Sequence, residues 1–235
     1  MIGALIQARM GSKRLPNKVL QKINKRTILN IMISRLKNSK QIEKIIVCTT
    51  NKKEDDKIVN FCKKNNIYYF RGSSQNVMSR YFNAAKKFNI KTIVRLTADC
   101  PLIDAIIIDK MLIHYKKIKV DYLANTNPPE ISTFPDGTDV EIFEFDKFSK
   151  INLKERRKQY LEHVTYNFWK EKKYISKLYK NNTNLSHYRY TLDYKEDLQV
   201  LKKIITNFKS KIENVSTNEI VKYLKKNNEV YILNN

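Results

Sequence analysis

Ile2-Gly3-Ala4-Leu5-Ile6-Gln7-Ala8-Arg9-Met10-Gly11-Ser12-Lys13-Arg14-Leu15-Pro16-Asn17-Lys18 sets an uncharged apolar run directly against a loop that holds four cations. Ile2–Gln7 reads as a buried strand. Behind it, Arg9, Lys13, Arg14 and Lys18 surround Gly11 and Ser12, and Pro16 denies the segment a helix. A strand that ends on such a loop suits the ligand edge of an open α/β sheet, beyond the carboxyl ends of the strands. Backbone N–H groups of a Gly-containing loop can face an anion, and the cations add neutralisation. Triphosphate best matches several cations on one short loop. The stretch is not a Walker A loop, because G-x-x-x-x-G-K-[ST] is absent. The plainer alternative is a solvated basic turn, but a turn straight after a buried strand has no need of Arg9.

Outward from this point, strands are expected at Lys44–Thr49, Ile67–Phe70, Thr92–Leu96 and Tyr122–Asn125. Helices are expected at Ile28–Leu36, Asp55–Lys64, Asn76–Phe88 and about Ala105–Lys116. Strands alternating with helices of about ten residues predict a largely parallel α/β sheet. The second half is less regular. A loop with three prolines runs from Thr126 to Gly137, then a strand at Thr138–Phe143 and a helix at Glu155–Lys170. Short strands at Tyr174–Leu178 and His187–Thr191 precede helices at Lys195–Phe208 and Thr217–Lys226. The whole of 1–235 is read as one domain, with 126–180 as an acceptor or dimerisation elaboration.

Composition narrows the class. No apolar run reaches the length of a membrane span, and no signal peptide opens the chain. Cys48, Cys62 and Cys100 are scattered and odd in number, which argues against a disulfide framework and for a reducing cytoplasm. The net charge of +23 invites a nucleic-acid reading, but of 46 basic residues only ten are Arg. Lysine spread over solvated faces explains that balance better, and no helix-turn-helix, zinc or RNP pattern supports a nucleic-acid partner.

Gln7-Ala8-Arg9-Met10-Gly11-Ser12-Lys13-Arg14-Leu15-Pro16-Asn17-Lys18 resembles the opening signature of the cytidylyltransferase family. That family includes the acylneuraminate and 3-deoxy-manno-octulosonate cytidylyltransferases, and the nearest branch is the spore coat polysaccharide biosynthesis protein F type. The resemblance implies a Rossmann-like nucleotide-diphospho-sugar transferase fold, three-layered, with a mostly parallel mixed sheet and a β-containing insertion. It also implies that Ala8, Arg9, Ser12, Arg14 and Lys18 bind CTP. Arg9, Arg14 and Lys18 would act catalytically on its phosphates, and Lys13 would be dispensable. Family members are commonly dimers.

Nucleotidyl transfer needs a divalent cation, and magnesium usually takes one or two carboxylates. Two Asp follow strands: Asp99 in Val94-Arg95-Leu96-Thr97-Ala98-Asp99-Cys100-Pro101, and Asp193 in Tyr190-Thr191-Leu192-Asp193-Tyr194-Lys195-Glu196-Asp197. Asp104 and Asp197 read instead as helix-start residues. Both strand-end segments resemble the family's metal-binding segments, although Tyr194-Lys195 stand where Thr-Pro is usual. Asp99 and Asp193 are therefore the expected magnesium ligands, with Asp99 also catalytic.

The resemblance places Thr49, Arg71, Ser73 and Ser74 around the nucleoside, with helix capping as the alternative for the two serines. Arg80, Asp136, Asp139, Glu162, His163 and Arg189 are the expected acceptor residues. The function implied is CTP-dependent activation of an anionic sugar or sugar acid for polysaccharide or glycan synthesis. A glycosyltransferase using a nucleotide sugar is the alternative, weakened because Thr97-Ala98-Asp99 lacks Asp-x-Asp. A cytoplasmic homodimer with no membrane or nucleic-acid partner is expected.

Overall fold

The computed structural model describes residues 1–12 and 14–234; Lys13, the cation expected to be dispensable, lies outside the described residues. β1 (Ile2–Gln7) leads into the basic loop, a 3-10 turn at Lys18–Leu20 and a small hairpin of β2 (Lys22–Ile23) and β3 (Arg26–Thr27). Next come α1 (Ile28–Leu36), β4 (Lys44–Thr50), α2 (Asp56–Lys64), β5 (Tyr68–Gly72), α3 (Val77–Lys87), β6 (Thr92–Thr97) and α4 (Ala105–Lys117). The second half holds β7 (Tyr122–Ala124), β8 (Glu141–Glu144), α5 (Phe145–Lys154), α6 (Lys158–His163), α7 (Tyr166–Lys170) and β9 (Ser176–Leu178). α8 (Lys195–Phe208), α9 (Thr217–Lys226) and α10 (Asn228–Tyr231) close the chain.

The main sheet has seven strands in the order β5-β4-β1-β6-β8-β7-β9. β5, β4, β1 and β6 run parallel, β8 is antiparallel to both β6 and β7, and β9 is parallel to β7. Side-chain alternation distributes the core over two faces. Ala4, Ile6, Val47, Val94 and Ile142 pack with α1, α2 and α4; Leu5, Ile46, Cys48, Ile93 and Phe143 pack with α3, α5 and Phe168. Three layers result, as the resemblance implied. No helix among the described residues is long and apolar enough to cross a membrane.

The far side of α1 carries Ile28 and Ile31 into a third cluster with α8 and α9. Buried Arg35 pins this junction by donating to Ile103 O at 2.7 Å, to Val215 O at 2.6 Å and to Ile212 O. Asp104 does cap α4, accepting from Ile106 N–H at 2.9 Å, and its other oxygen takes Thr217 N–H at 2.8 Å. One carboxylate thus joins the starts of two helices.

Four expectations for the second half are corrected. The strand expected at Thr138–Phe143 is β8, Glu141–Glu144. Phe145–Lys154 is a helix that the sequence reading passed over, although Phe145, Phe148 and Ile151 recur every three residues. The single helix expected at Glu155–Lys170 is two short ones. Glu155 turns its carboxylate onto the N–H groups of Arg156 and Arg157, at 2.9 and 2.8 Å, and Val164 adopts φ 61°. That conformation is strained for a β-branched residue; Val164 and Phe168 both lie in the core on either side of the break. His187–Thr191 forms only an isolated bridge, Asp136 to Arg189.

Candidate active site

β1, β4 and β6 end at one edge, and a cleft of about 630 Å³ opens there. Arg9, Ser12, Arg14 and Lys18 line it, as do Asp99, Asp193 and Glu162. The basic loop is held in shape by its own backbone. Ser12 and Asn17 N–H both donate to Met10 O, at 2.8 and 3.2 Å, and Ser12 Oγ accepts from Leu15 N–H at 3.4 Å. It is fastened to β4 by Asp55, whose buried carboxylate accepts Met10 N–H at 2.6 Å, Thr50 N–H at 3.3 Å and the Thr50 hydroxyl. The sequence reading saw Asp55 only as the start of α2.

The two Asp segments are zipped together across the chain. Leu192 N–H donates to Asp99 O at 2.8 Å, and the Thr191 hydroxyl donates to the same oxygen at 3.3 Å. Gly137 makes the approach possible from the other side. Its φ is 104°, and a Cβ there would stand 2.5 Å from Thr191 N.

Lys18 lies at the centre. Its ammonium donates to Asp99 Oδ2 at 2.8 Å, Leu192 O at 2.9 Å and Asp193 Oδ1 at 3.0 Å. Arg14 Nη2 reaches Asp193 Oδ1 at 2.8 Å, and its guanidinium lies 4.9 Å from the Tyr194 ring centre while Nη1 donates to the Tyr194 hydroxyl at 3.2 Å. Burial disfavours the Asp99 charge, but the Lys18 ammonium outweighs it and holds the carboxyl below its ordinary value. Burial likewise opposes the Lys18 charge, and the two carboxylates overcome it and raise that pKa.

Asp193 is positioned from behind. Asp197, completely buried, accepts the N–H groups of Asp193 and Tyr194 at 2.7 and 2.9 Å. It also takes Arg189 Nε and Nη2 at 3.1 and 3.0 Å. Arg189 continues to Asp136, and its Nη2 stands 3.8 Å from Asp193 Oδ2. Asp197 thus does more than complement a helix dipole.

Two hard carboxylates that share one cationic donor form a donor set that suits magnesium, which needs few protein ligands beside phosphate and water. The cleft therefore brings cations and two carboxylates together at one sheet edge.

Other expected residues lie elsewhere. Ala8 is buried at the loop's start, its N–H on Cys48 O at 3.2 Å. Thr49 is buried, its hydroxyl without a hydrogen-bond partner among the described residues. Arg71 does not line the cleft: it clamps Thr50 O at 2.9 Å, Lys52 O at 2.9 Å and Asp56 at 2.6 Å. Ser73 Oγ accepts from Asn76 N–H at 2.9 Å, and the cap of α3 is Asn76, not either serine. Ser74 also lies off the cleft wall. Arg80 is buried beneath that turn, donating to Ser73 O, so it does not reach the cleft. Asp139 accepts from Cys100 Sγ at 3.0 Å. His163 stacks on Tyr166 at 4.3 Å, and burial holds its pKa below the ordinary value. Sequence reasoning missed Lys52 and Gln7 on the cleft wall. Each sits at or just past the end of a strand of this sheet edge, which was the available signal.

A family model described as cytidylyltransferase matches residues 3–232 of the chain. The spore coat polysaccharide biosynthesis protein SpsF of Bacillus subtilis is 29% identical over 238 residues, covering 95% of this chain and 93% of that protein. A solved cytidylyltransferase from Leptospira borgpetersenii superposes with a TM-score of 0.93 at 38% identity, covering 100% of this chain and 97% of that one. A CMP:2-keto-3-deoxy-manno-octonic acid synthetase complexed with CTP shares the fold, with a TM-score of 0.67 at 12% identity over 88% of this chain and 98% of that one.

Proposed function

This chain belongs to the cytidylyltransferase family, and from that premise we propose that its cleft joins CTP to an anionic sugar or sugar acid, releasing pyrophosphate, in polysaccharide or glycan synthesis. The observation that carries the reading is the convergence of Arg9, Arg14 and Lys18 with Asp99 and Asp193 on one cleft at the sheet's carboxyl edge. SpsF supports the polysaccharide context by its name, and the octonic acid synthetase supports an acid acceptor.

An acceptor oxygen attacks the α-phosphorus of CTP in line. One P–O bond forms, the bond to the β-phosphate's bridging oxygen breaks, and pyrophosphate leaves with that oxygen. Arg9 and Arg14 bind the phosphates and neutralise the leaving charge. The backbone of the Gly11–Ser12 turn holds the chain in reach of them. Asp99 and Asp193 would hold magnesium, which would supply charge neutralisation at the transferring phosphate. Glu162 is the one expected acceptor residue on the cleft wall, and in this reading its carboxylate meets the acceptor. Most of the acceleration comes from positioning and electrostatics, with no covalent protein intermediate.

The proposal includes a homodimer through 126–180. Ile131, Leu153 and Ile175 support it, each more than half exposed and all within that segment. A cytoplasmic setting completes it. The test is pyrophosphate release from CTP with magnesium across a panel of sugar acids. Release with CTP and one acid, and not with ATP, GTP or UTP, is the expected outcome; equal use of all four nucleotides would sink the base assignment.

A further inference from the structure

Lys18 is expected, by the resemblance, to hold phosphate. Its surroundings give it something else to do first. An ammonium has three donors, and the protein already takes all three: Asp99 Oδ2 at 2.8 Å, Leu192 O at 2.9 Å and Asp193 Oδ1 at 3.0 Å. In that arrangement it has no donor left for a phosphate. The carboxylate oxygens it holds are also the pair that converges. Asp99 Oδ1 faces Cys100 Sγ at 3.9 Å, and Asp193 Oδ2 faces Arg189 Nη2 at 3.8 Å. A divalent cation bound by both Asp residues through this converging pair meets the two oxygens that part-buried Lys18 occupies, one of which, Asp193 Oδ1, also takes the exposed Arg14 Nη2 at 2.8 Å.

We propose that Lys18 is an exchangeable internal cation, holding Asp99 and Asp193 together until a divalent cation arriving with the nucleotide takes those oxygens and the freed ammonium turns to the phosphates. The inference rests on the nucleotidyl-transfer reading. Lys18 has the means to move: a flexible four-carbon stem and a compact charge. It starts a short 3-10 turn, just after Asn17 in a left-handed conformation. Held this way, the carboxylates do not repel one another before substrate arrives. A bare metal ion must displace a seated ammonium, whereas one that brings phosphates offers the ammonium new acceptors. Competition of this kind weakens apparent metal affinity by the fraction of time the site is free.

The test is Mn²⁺ binding without nucleotide, followed by electron paramagnetic resonance, in the full chain and its variants. Lys18→Met should bind Mn²⁺ alone roughly ten- to a hundredfold more tightly than wild type. Lys18→Arg, which keeps a cation between the carboxylates, should stay near wild type. Mn²⁺ alone should raise the melting temperature of Lys18→Met and leave that of wild type nearly unchanged. Equal Mn²⁺ affinity for Lys18→Met and wild type overturns the exchange, and leaves the functional reading standing if wild type still binds CTP with Mn²⁺. A wild type that binds no CTP with or without Mn²⁺ overturns both. Should Lys18→Met not fold, the wild type suffices: with ¹⁵N-lysine, the Lys18 ammonium resonance should shift on adding Mg²⁺ and CTP together and stay with Mg²⁺ alone. A resonance that never moves overturns the exchange.

Discussion

The two walls of the cleft carry charge in opposite ways. On the wall built after β1 and β4, Arg9 and Lys52 face the cleft exposed, with no ion pair among the described residues. Behind the other wall, off the cleft lining itself, the cations are already matched. Arg189 is held by Asp136 and Asp197, and Arg95 by Glu141 at 2.6 Å. Arg157 closes on Glu155 at 2.6 Å further out. The first wall is prepared for a ligand that brings its own negative charge. The second has satisfied its charges internally. Asp193 stands at the seam, touched by Arg14 and Lys18 from one side and by Arg189 from the other.

The sharpest way to break this comparison is at the seam. Asp99→Asn should lower pyrophosphate release by about a thousandfold or more, the loss of a metal's charge stabilisation. Its melting temperature should stay near wild type; surviving turnover would remove Asp99 from the ligand set. On the open wall, Arg9→Ala should cost about a hundredfold in kcat/KM for CTP, with unchanged thermal stability because no pair is broken.

On the matched wall the larger loss is in stability. Asp197→Asn removes the buried charge opposite Arg189, leaving Asp136 as that guanidinium's carboxylate partner, and keeps one acceptor oxygen where two served Arg189 and the N–H groups of Asp193 and Tyr194. Denaturant unfolding should show about 3 kcal/mol lost, with a fall in kcat as Asp193 loosens. Glu155→Gln should cost about 2 kcal/mol and leave kcat unchanged. The Arg157 guanidinium, helped by Asn167 and two backbone N–H groups, overcomes burial and holds the Glu155 carboxyl at about 2. A depressed pKa means stability is present above the unfolded value of about 4.3 and is lost as pH falls. The wild-type advantage over Glu155→Gln should therefore shrink between about pH 4 and 2 and vanish below. The smallest effect is expected at Glu162→Gln, on the cleft wall: a few-fold rise in acceptor KM with the CTP KM unmoved. A change in the CTP KM would place Glu162 on the wrong wall.

The same contrast explains what was legible in the sequence. β1, α1 and the basic loop could be read because one strand-to-loop transition carries both the fold and the chemistry. Asp99 stood out because it follows a strand of the sheet, whereas the strand expected before Asp193 is only an isolated bridge at Arg189, and Asp193 was reached through the family resemblance. Asp55, Asp197 and Lys52 did not stand out, since their roles depend on partners 45 or more residues away, on backbone N–H groups, or on a loop's path. The helix break at Glu155 and Val164 was hidden for the same reason. Local periodicity favours continuing the helix, since Val164 and Phe168 are four apart and would share one face, and nothing in that pattern marks the φ of 61° at Val164. Arg80 shows the converse. A cation beside a ligand-facing loop looked available, yet its side chain is buried beneath Ser73, with Nη1 donating to Ser73 O.

Calorimetric titration of CTP with Mg²⁺ into wild type, Arg9→Ala and Glu155→Gln tests the central claim most directly. Binding weakened at least tenfold by Arg9→Ala and unchanged by Glu155→Gln is the predicted result. CTP affinity indifferent to Arg9→Ala would contradict the placement of the triphosphate on the opening loop.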